Sequence, residues 1–156
     1  MLSCSAEINA KTQIDEIRKL LTDMGYECTD YTFSDSNDLA AVVRRAAEEC
    51  DFIYTPTDNT VSANSDLINN ICLEAKIPIF TGSESICEGC GAATLCLDAY
   101  ELGYATGEMA VKVLEGTEDI SKMPIQSAPK FVKKYNPKIC KILGISVPED
   151  YEPLDP

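Results

Sequence analysis

Histidine is absent from the 156-residue chain. That removes the commonest general base and the commonest nitrogen ligand for zinc or copper, and with them Ser-His and Cys-His nucleophilic catalysis. Basic residues are scarce as well: 13 Lys and Arg stand against 26 Asp and Glu, a formal net charge of −13. Such a balance repels phosphate backbones and anionic membranes, so nucleic acid is not an expected partner. No run approaches the roughly 20 apolar residues that span a bilayer. The start Met1-Leu2-Ser3-Cys4-Ser5-Ala6-Glu7 lacks a basic region followed by a long apolar stretch, so neither an export signal nor an anchor is expected in it.

Apolar residues are plentiful, at 45%, enough for one substantial core without two complete domains. The eight cysteines, Cys4, Cys28, Cys50, Cys72, Cys87, Cys90, Cys96 and Cys140, are mostly scattered singly within apolar or helical patterns. They read as small buried hydrophobes rather than a secreted disulfide framework, and so many free thiols favour a reducing or anaerobic setting. Cys87-Glu88-Gly89-Cys90 is spaced for a redox couple or half a metal site. With Cys96 as the only third thiol nearby and no histidine, it is taken as an incidental pair in a flexible turn over 87–93, and neither metal nor cofactor is expected.

Periodicity organises the rest. Met1–Cys4 reads as a strand, and Ile14, Ile17, Leu20, Leu21 and Met24 fall at helical spacing over 10–24, with Gly25 as the stop. A second strand is expected over 27–32, a helix from the capping cluster Ser34–Asp38 through Cys50, a third strand over 52–55 and a single third helix over 61–75. A fourth strand over 77–81 follows, then a short strand over 94–97, a helix over 100–114, extended pieces around Pro129 within 123–133 and a helix over 137–143. Pro148, Pro153 and Pro156 in an acidic setting point to a loose tail over 148–156. Three βα repeats in about 80 residues predict an α/β fold, a three-layer αβα sandwich with a mainly parallel sheet.

Right-handed crossovers gather the strand-to-helix loops at one edge, which brings together Ser5, Glu7, Asn9, Thr57, Asp58, Asn59, Ser83 and Glu84. The abrupt change from Phe52-Ile53-Tyr54-Thr55 to Pro56-Thr57-Asp58-Asn59-Thr60 marks this edge best. Proline stops ladder donation, and the polar residues that follow can bond the free amides of a helix start, which is how open α/β sheets build ligand crevices. The same residues can equally serve as helix caps. Amides at the helix starts suit an anionic or carbonyl group, whereas Glu7, Asp58 and Glu84 suit an ammonium, so a zwitterion satisfies both. A small flavodoxin-like or receiver-like domain is the enzyme alternative, but the first loop has no glycine-rich phosphate cradle and no acidic pair with a matched lysine.

Several ordered blocks resemble the substrate-binding proteins of ABC transporters of the tryptophan- and tyrosine-binding type, within the type I periplasmic-binding-protein fold. They are Ser5-Ala6-Glu7-Ile8-Asn9-Ala10, Ser34-Asp35-Ser36-Asn37-Asp38, Tyr54-Thr55-Pro56-Thr57-Asp58-Asn59-Thr60-Val61, Glu74-Ala75-Lys76-Ile77-Pro78-Ile79-Phe80 and Leu97-Asp98-Ala99-Tyr100-Glu101-Leu102-Gly103. Together they cover about residues 1–147. Ala10 stands where the family usually has serine, and the Cys87/Cys90 pair departs from its pattern.

The resemblance implies a two-lobed protein without enzymatic activity, of which 1–147 corresponds to the C-terminal lobe. Residues 91–118 would cross to the N-terminal lobe, which would leave a homodimer through 94–114 as one way to cover the orphaned helix. Ser5, Glu7, Asn9, Thr57, Asp58, Asn59 and Glu84 become half of a clamp for an amino acid-like solute, with Asp98 either lining the hinge side or capping a helix. The full-length partner implied is an ABC permease, and the location extracytoplasmic, as a lipoprotein in full-length relatives. Truncation then accounts for the missing signal, and weak or absent binding is expected of a single lobe. A homodimeric interaction module remains the alternative.

Overall fold

The computed structural model describes residues 1–154. They form two compact units, residues 1–95 with 133–154, and residues 96–132. In the first unit β1 (Leu2–Cys4) pairs in parallel with β2 (Tyr31–Phe33), and α1 (Ile8–Asp23) and α2 (Ser36–Glu49) follow the respective strands. β3 (Ile53–Thr55) and β4 (Ile79–Thr81) are also parallel, as are β4 and β5 (Ala93–Leu97), and β6 (Phe131–Tyr135) and β7 (Glu152–Pro153) complete the second ladder in the order β3-β4-β5-β6-β7. β6 runs back along β5, with the Asn136 amide donating to Ala92 O at 2.9 Å. β1 lies alongside β3 without a ladder between them, so the expected continuous sheet is two ladders side by side.

Alternation within the short strands explains the layers. Leu2, Cys4, Phe33, Ile53 and Ile79 point to one face, where they meet Leu39, Val43 and Ala46 of α2, Val61 of α3 (Asn59–Ala63), Ile68 and Cys72 of α4 (Ser65–Ala75) and Ile86 and Cys90 of α5 (Glu84–Cys90). α1 lies on the other face, with Ala10 and Ile14 near Ser3 and Thr32. A smaller cluster of Ala92, Ile139 and Cys140 seats α7 (Pro137–Leu143). The fold is therefore the expected α/β class, a mostly parallel sheet flanked by helices.

Other expectations change as well, and the strand expected over 27–32 is confined to Tyr31–Phe33. The single helix over 61–75 is two helices broken at Asn64, whose Nδ2 donates to Thr60 O at 2.8 Å, a side-chain bond that replaces helix continuation. The turn expected over 87–93 is largely helical, because Ile86, Cys87 and Cys90 share one buried helical face. Gly91 ends α5, and a Cβ there would lie 2.6 Å from Thr81 Cγ2 and 2.9 Å from the Cys87 Cα. Residues 123–128 form no regular element, and the strand begins only at Phe131. Finally, the tail expected to be loose over 148–156 is held where it is described: Lys134 and Glu152 are register partners, Leu154 N–H donates to Tyr135 O at 2.8 Å, and Leu154 is buried. Asp155 and Pro156 lie outside the described residues.

Six of the eight cysteines are buried. Burial pushes the Cys72 and Cys90 thiols up to about 12. Since the thiolate is the reactive form, a thiol reagent at pH 8 is expected to leave both untouched in folded protein and to titrate all eight cysteines in denaturant. Rapid labelling of Cys90 without unfolding would contradict the burial.

In the second unit, α6 (Ala99–Leu114) begins at Asp98, whose carboxylate accepts the Glu101 amide at 3.1 Å and pairs with Lys130 at 3.3 Å. No residue of this 16-residue helix is buried.

Candidate ligand-binding edge

The loops after β1, β3 and β4 meet at one edge of the first unit, as the crossover rule demands. There α1 and the Thr57 loop are joined side chain to backbone. Asn9 Nδ2 donates to Thr57 O at 3.0 Å, and the Thr57 amide donates to Gln13 Oε1 at 2.7 Å. Thr57 Oγ1 donates in turn to Gly82 O at 3.2 Å, which ties in the loop after β4. Asn59 Nδ2 reaches Glu7 Oε2 at 3.4 Å. Glu7, Asn9, Thr57 and Asn59 are thus brought together, with Ser5 exposed beside them and its amide donating to Phe33 O at 2.9 Å.

Gln13 is missing from the sequence-derived set. It stands four residues after Asn9 on α1, hence on the same helical face, and that spacing was the available signal. Gly82 completes the junction by its lack of a side chain, since a Cβ would lie 3.0 Å from Gln13 Oε1 and 3.1 Å from both Thr57 N and Tyr54 Oη. Gly82→Ala is therefore expected to displace the Thr57 loop at a cost of about 1–2 kcal/mol, read from thermal unfolding together with amide shifts at Thr57.

Asp58 is at the edge but spent. It is 2% exposed, and its carboxylate accepts the Cys4 amide at 2.7 Å and the Val61 amide at 2.9 Å. It caps α3 and ties that helix to β1, which makes it the residue that positions its neighbours Thr57 and Asn59. Glu84, in the first turn of α5, is ion-paired with Lys134. Asp98 belongs to the second unit, where the Glu101 amide is the chief cause holding its carboxyl below the usual range. Ala10, at the family's serine position, is buried against the sheet.

The caps differ in a way that matters chemically. α2 has a full capping box from Asp35 and Asp38, and α3 has Asp58, but the N-cap of α1, Glu7, makes no side-chain cap hydrogen bond. A 16-residue helix thus starts without a side-chain cap at the point where Asn9, Thr57 and Asn59 gather. Its positive dipole end and first-turn amides suit a carboxylate, while the Glu7 carboxylate beside them suits a cation. Among the described residues no three His, Cys, Asp or Glu side chains are grouped to hold a metal ion.

Helix-start amides, amide side chains and a carboxylate thus stand together at one edge of an α/β fold. The description "ABC transporter substrate binding protein" matches residues 1–152, and the chain belongs to that family. Among curated relatives it is 28% identical over 121 residues to the tyrosine-binding protein of Clostridioides difficile (strain R20291), which takes in 78% of this chain and 35% of that protein. Among solved structures it is similar to the ABC domain from Streptococcus pneumonia in complex with L-Trp, with a TM-score of 0.84 and 28% identity over 97% of this chain and 54% of that one. It is likewise similar to the ligand-free, open structure of a substrate-binding protein with adhesive properties from Clostridium difficile, with a TM-score of 0.79 and 29% identity over 98% and 52%. The chain thus spans about a third of the curated relative and about half of the solved ones. These homologues are substrate-binding proteins rather than enzymes.

Proposed function

We propose that this chain is the C-terminal ligand-binding lobe of an extracytoplasmic solute receptor that takes an aromatic amino acid and delivers it to an ABC permease. The observation that carries the reading is the α1 start without a side-chain cap, flanked by Asn9, Thr57, Asn59 and the Glu7 carboxylate. The amides take the solute carboxylate and Glu7 takes its ammonium, with Ser5 at the rim. Asp58 and Gln13 hold the loop in place, while Glu84 and Asp98 take part only on release from Lys134 and Lys130. Relatives that bind tyrosine or were solved with L-Trp support an aromatic side chain. Binding by a single lobe is weak because the opposing half of a two-lobed clamp supplies the remaining contacts. A homodimer through 94–114 belongs to the same reading, as does membrane attachment of the full-length receptor. No helix among the described residues is long and apolar enough to cross a membrane.

Amide NMR titration with L-tyrosine, L-tryptophan and glucose tests the proposal. The aromatic amino acids are expected to shift the signals of Asn9, Thr57 and Asn59 at millimolar concentration and glucose to leave them in place. Shifts confined to other regions, or none at saturating amino acid, would sink it. Asn9→Ala should remove the response at least threefold in apparent affinity while Ser36→Ala, on a helix start capped by Asp35, leaves it unchanged.

A further inference from the structure

At the loop edge each amide side chain is oriented by the chemistry of its partner. Asn9 meets a carbonyl, Thr57 O, so its nitrogen faces that atom at 3.0 Å and Oδ1 is left without a protein donor. Asn59 meets the Glu7 carboxylate at 3.4 Å, which again takes the NH₂ group and leaves the amide oxygen over. Gln13 is set the other way: Oε1 accepts the Thr57 amide at 2.7 Å, which places Nε2 against Thr57 Oγ1 at 3.4 Å, and that hydroxyl directs its proton to Gly82 O at 3.2 Å. Asn9 and Asn59 are both exposed, so their oxygens face solvent rather than core.

Charge points the same way. Of the carboxylates gathered here, Asp58 is engaged by the Cys4 and Val61 amides and Glu84 by Lys134. Glu7 is half-buried and enters no ion pair among the described residues, although Lys11 stands one helical turn further on. Against one remaining N–H on each amide nitrogen and the first-turn amides of α1, the edge therefore offers two amide oxygens and a negative carboxylate whose only side-chain contact is a long one. The balance lies with acceptors.

We infer that the group this edge reads is a primary ammonium and that the solute carboxylate is dispensable to it, so that primary arylalkylamines belong to the ligand class. An ammonium carries three N–H donors and no acceptor, the complement of Glu7, Asn9 Oδ1 and Asn59 Oδ1. Its bond to Glu7 is charge-assisted, about twice as strong as a neutral one. A carboxylate at the same place has the helix start in its favour and the Glu7 charge against it. A metal ion is the poorer match, because one carboxylate and two neutral oxygens fall short of the roughly six to eight oxygens that calcium takes. The inference rests on the solute site proposed above and ranks the two charges of the zwitterion there.

Amide NMR titration with tyramine, hydroxyphenylpropionate and L-tyrosine, at equal concentrations in the millimolar range, tests it, because the three share a phenol ring and differ in their charged groups. Tyramine and tyrosine are expected to shift the backbone and side-chain signals of Asn9 and Asn59, and hydroxyphenylpropionate to bind at least about tenfold more weakly. Glu7→Gln keeps an oxygen for Asn59 and removes the charge; it should weaken tyramine about fivefold without moving the thermal unfolding midpoint, since Glu7 makes no side-chain cap bond. Equal affinity for hydroxyphenylpropionate and tyrosine overturns the inference and leaves the proposed solute site standing. A response to tyramine without one to tyrosine supports the inference and removes the amino acid from the proposed function. Tyramine shifts gathered at exposed acidic residues elsewhere, such as Glu48 and Glu74, overturn it as unspecific attraction to a chain of charge −13, and the same Asn9 and Asn59 shifts from calcium chloride overturn it in favour of a metal. Silence from all three ligands overturns both readings.

Discussion

Replacing Asp58 by alanine is expected to cost about 3–5 kcal/mol, a large part of the 5–15 kcal/mol typical of a domain. The carboxylate is 2% exposed and holds both the Cys4 amide at the end of β1, 54 positions away in sequence, and the Val61 amide in α3. Alanine leaves both N–H groups buried without an acceptor, and each costs about 1–3 kcal/mol. Asp58→Asn keeps one acceptor oxygen but turns an NH₂ group toward the other amide, so about 2 kcal/mol is expected. Urea titration should show a lower midpoint at unchanged slope, the sign of lost stability without a changed denatured state. A loss under 1 kcal/mol for alanine would show that water reaches the site. Because Asp58 fixes the Thr57 loop, the amino acid response at Thr57 and Asn59 should weaken in parallel.

Asn136→Ala is expected to cost about 3 kcal/mol. Asn136 is 9% exposed and uses its whole side chain: Oδ1 accepts the Lys138 and Ile139 amides at 3.1 and 3.2 Å, and Nδ2 donates to Cys87 O and Glu88 O at 3.2 and 3.1 Å. It caps α7 and closes the end of α5 at the same time. Loss of the cap accounts for about 1 kcal/mol and the two stranded carbonyls for the remainder. Asn136→Asp separates the two roles. It keeps the cap but sets a carboxylate against two carbonyl oxygens, which raises its folded-state pKa above the unfolded value of about 4. That variant should be nearest to the parent below pH 4 and lose stability as pH rises through the raised folded-state pKa. Thermal unfolding at pH 4 and pH 7 reads the difference, and an equal loss at both pH values would refute the facing carbonyls as its cause.

Much of this was legible in the chain because it is written in short-range patterns. The stripe Leu39, Val43 and Ala46 announces α2, and Asp35 with Asp38 announces its cap, since both depend on residues within one or two turns. Pro56-Thr57-Asp58-Asn59 marked the loop edge and led to the family to which the chain belongs. What was missed depends on distant partners. Cys87 and Cys90 looked like a loop pair because two glycines surround them, yet Gly89 stands where a Cβ would lie 2.2 Å from Ser65 Oγ, and Gly91 where one would meet Thr81. Those glycines let helices and a strand approach closely, which local composition cannot distinguish from a flexible turn. The last residues looked loose because three prolines interrupt any pattern, but Leu154 finds a buried place and a carbonyl partner on β6.

By itself the sequence determined most of the element types, the mainly parallel class of the sheet and the polar edge, because hydrophobic period, caps and crossover handedness are properties of neighbouring residues. Only the tertiary structure decided which edge residues are buried by their own partners and which stay at the surface. Asp58 and Asn59 are adjacent in the chain and alike in chemistry. Asp58 points inward to two buried amides, whereas Asn59 stays at the surface beside Glu7, and that difference depends on where β1 passes, some fifty residues away in sequence.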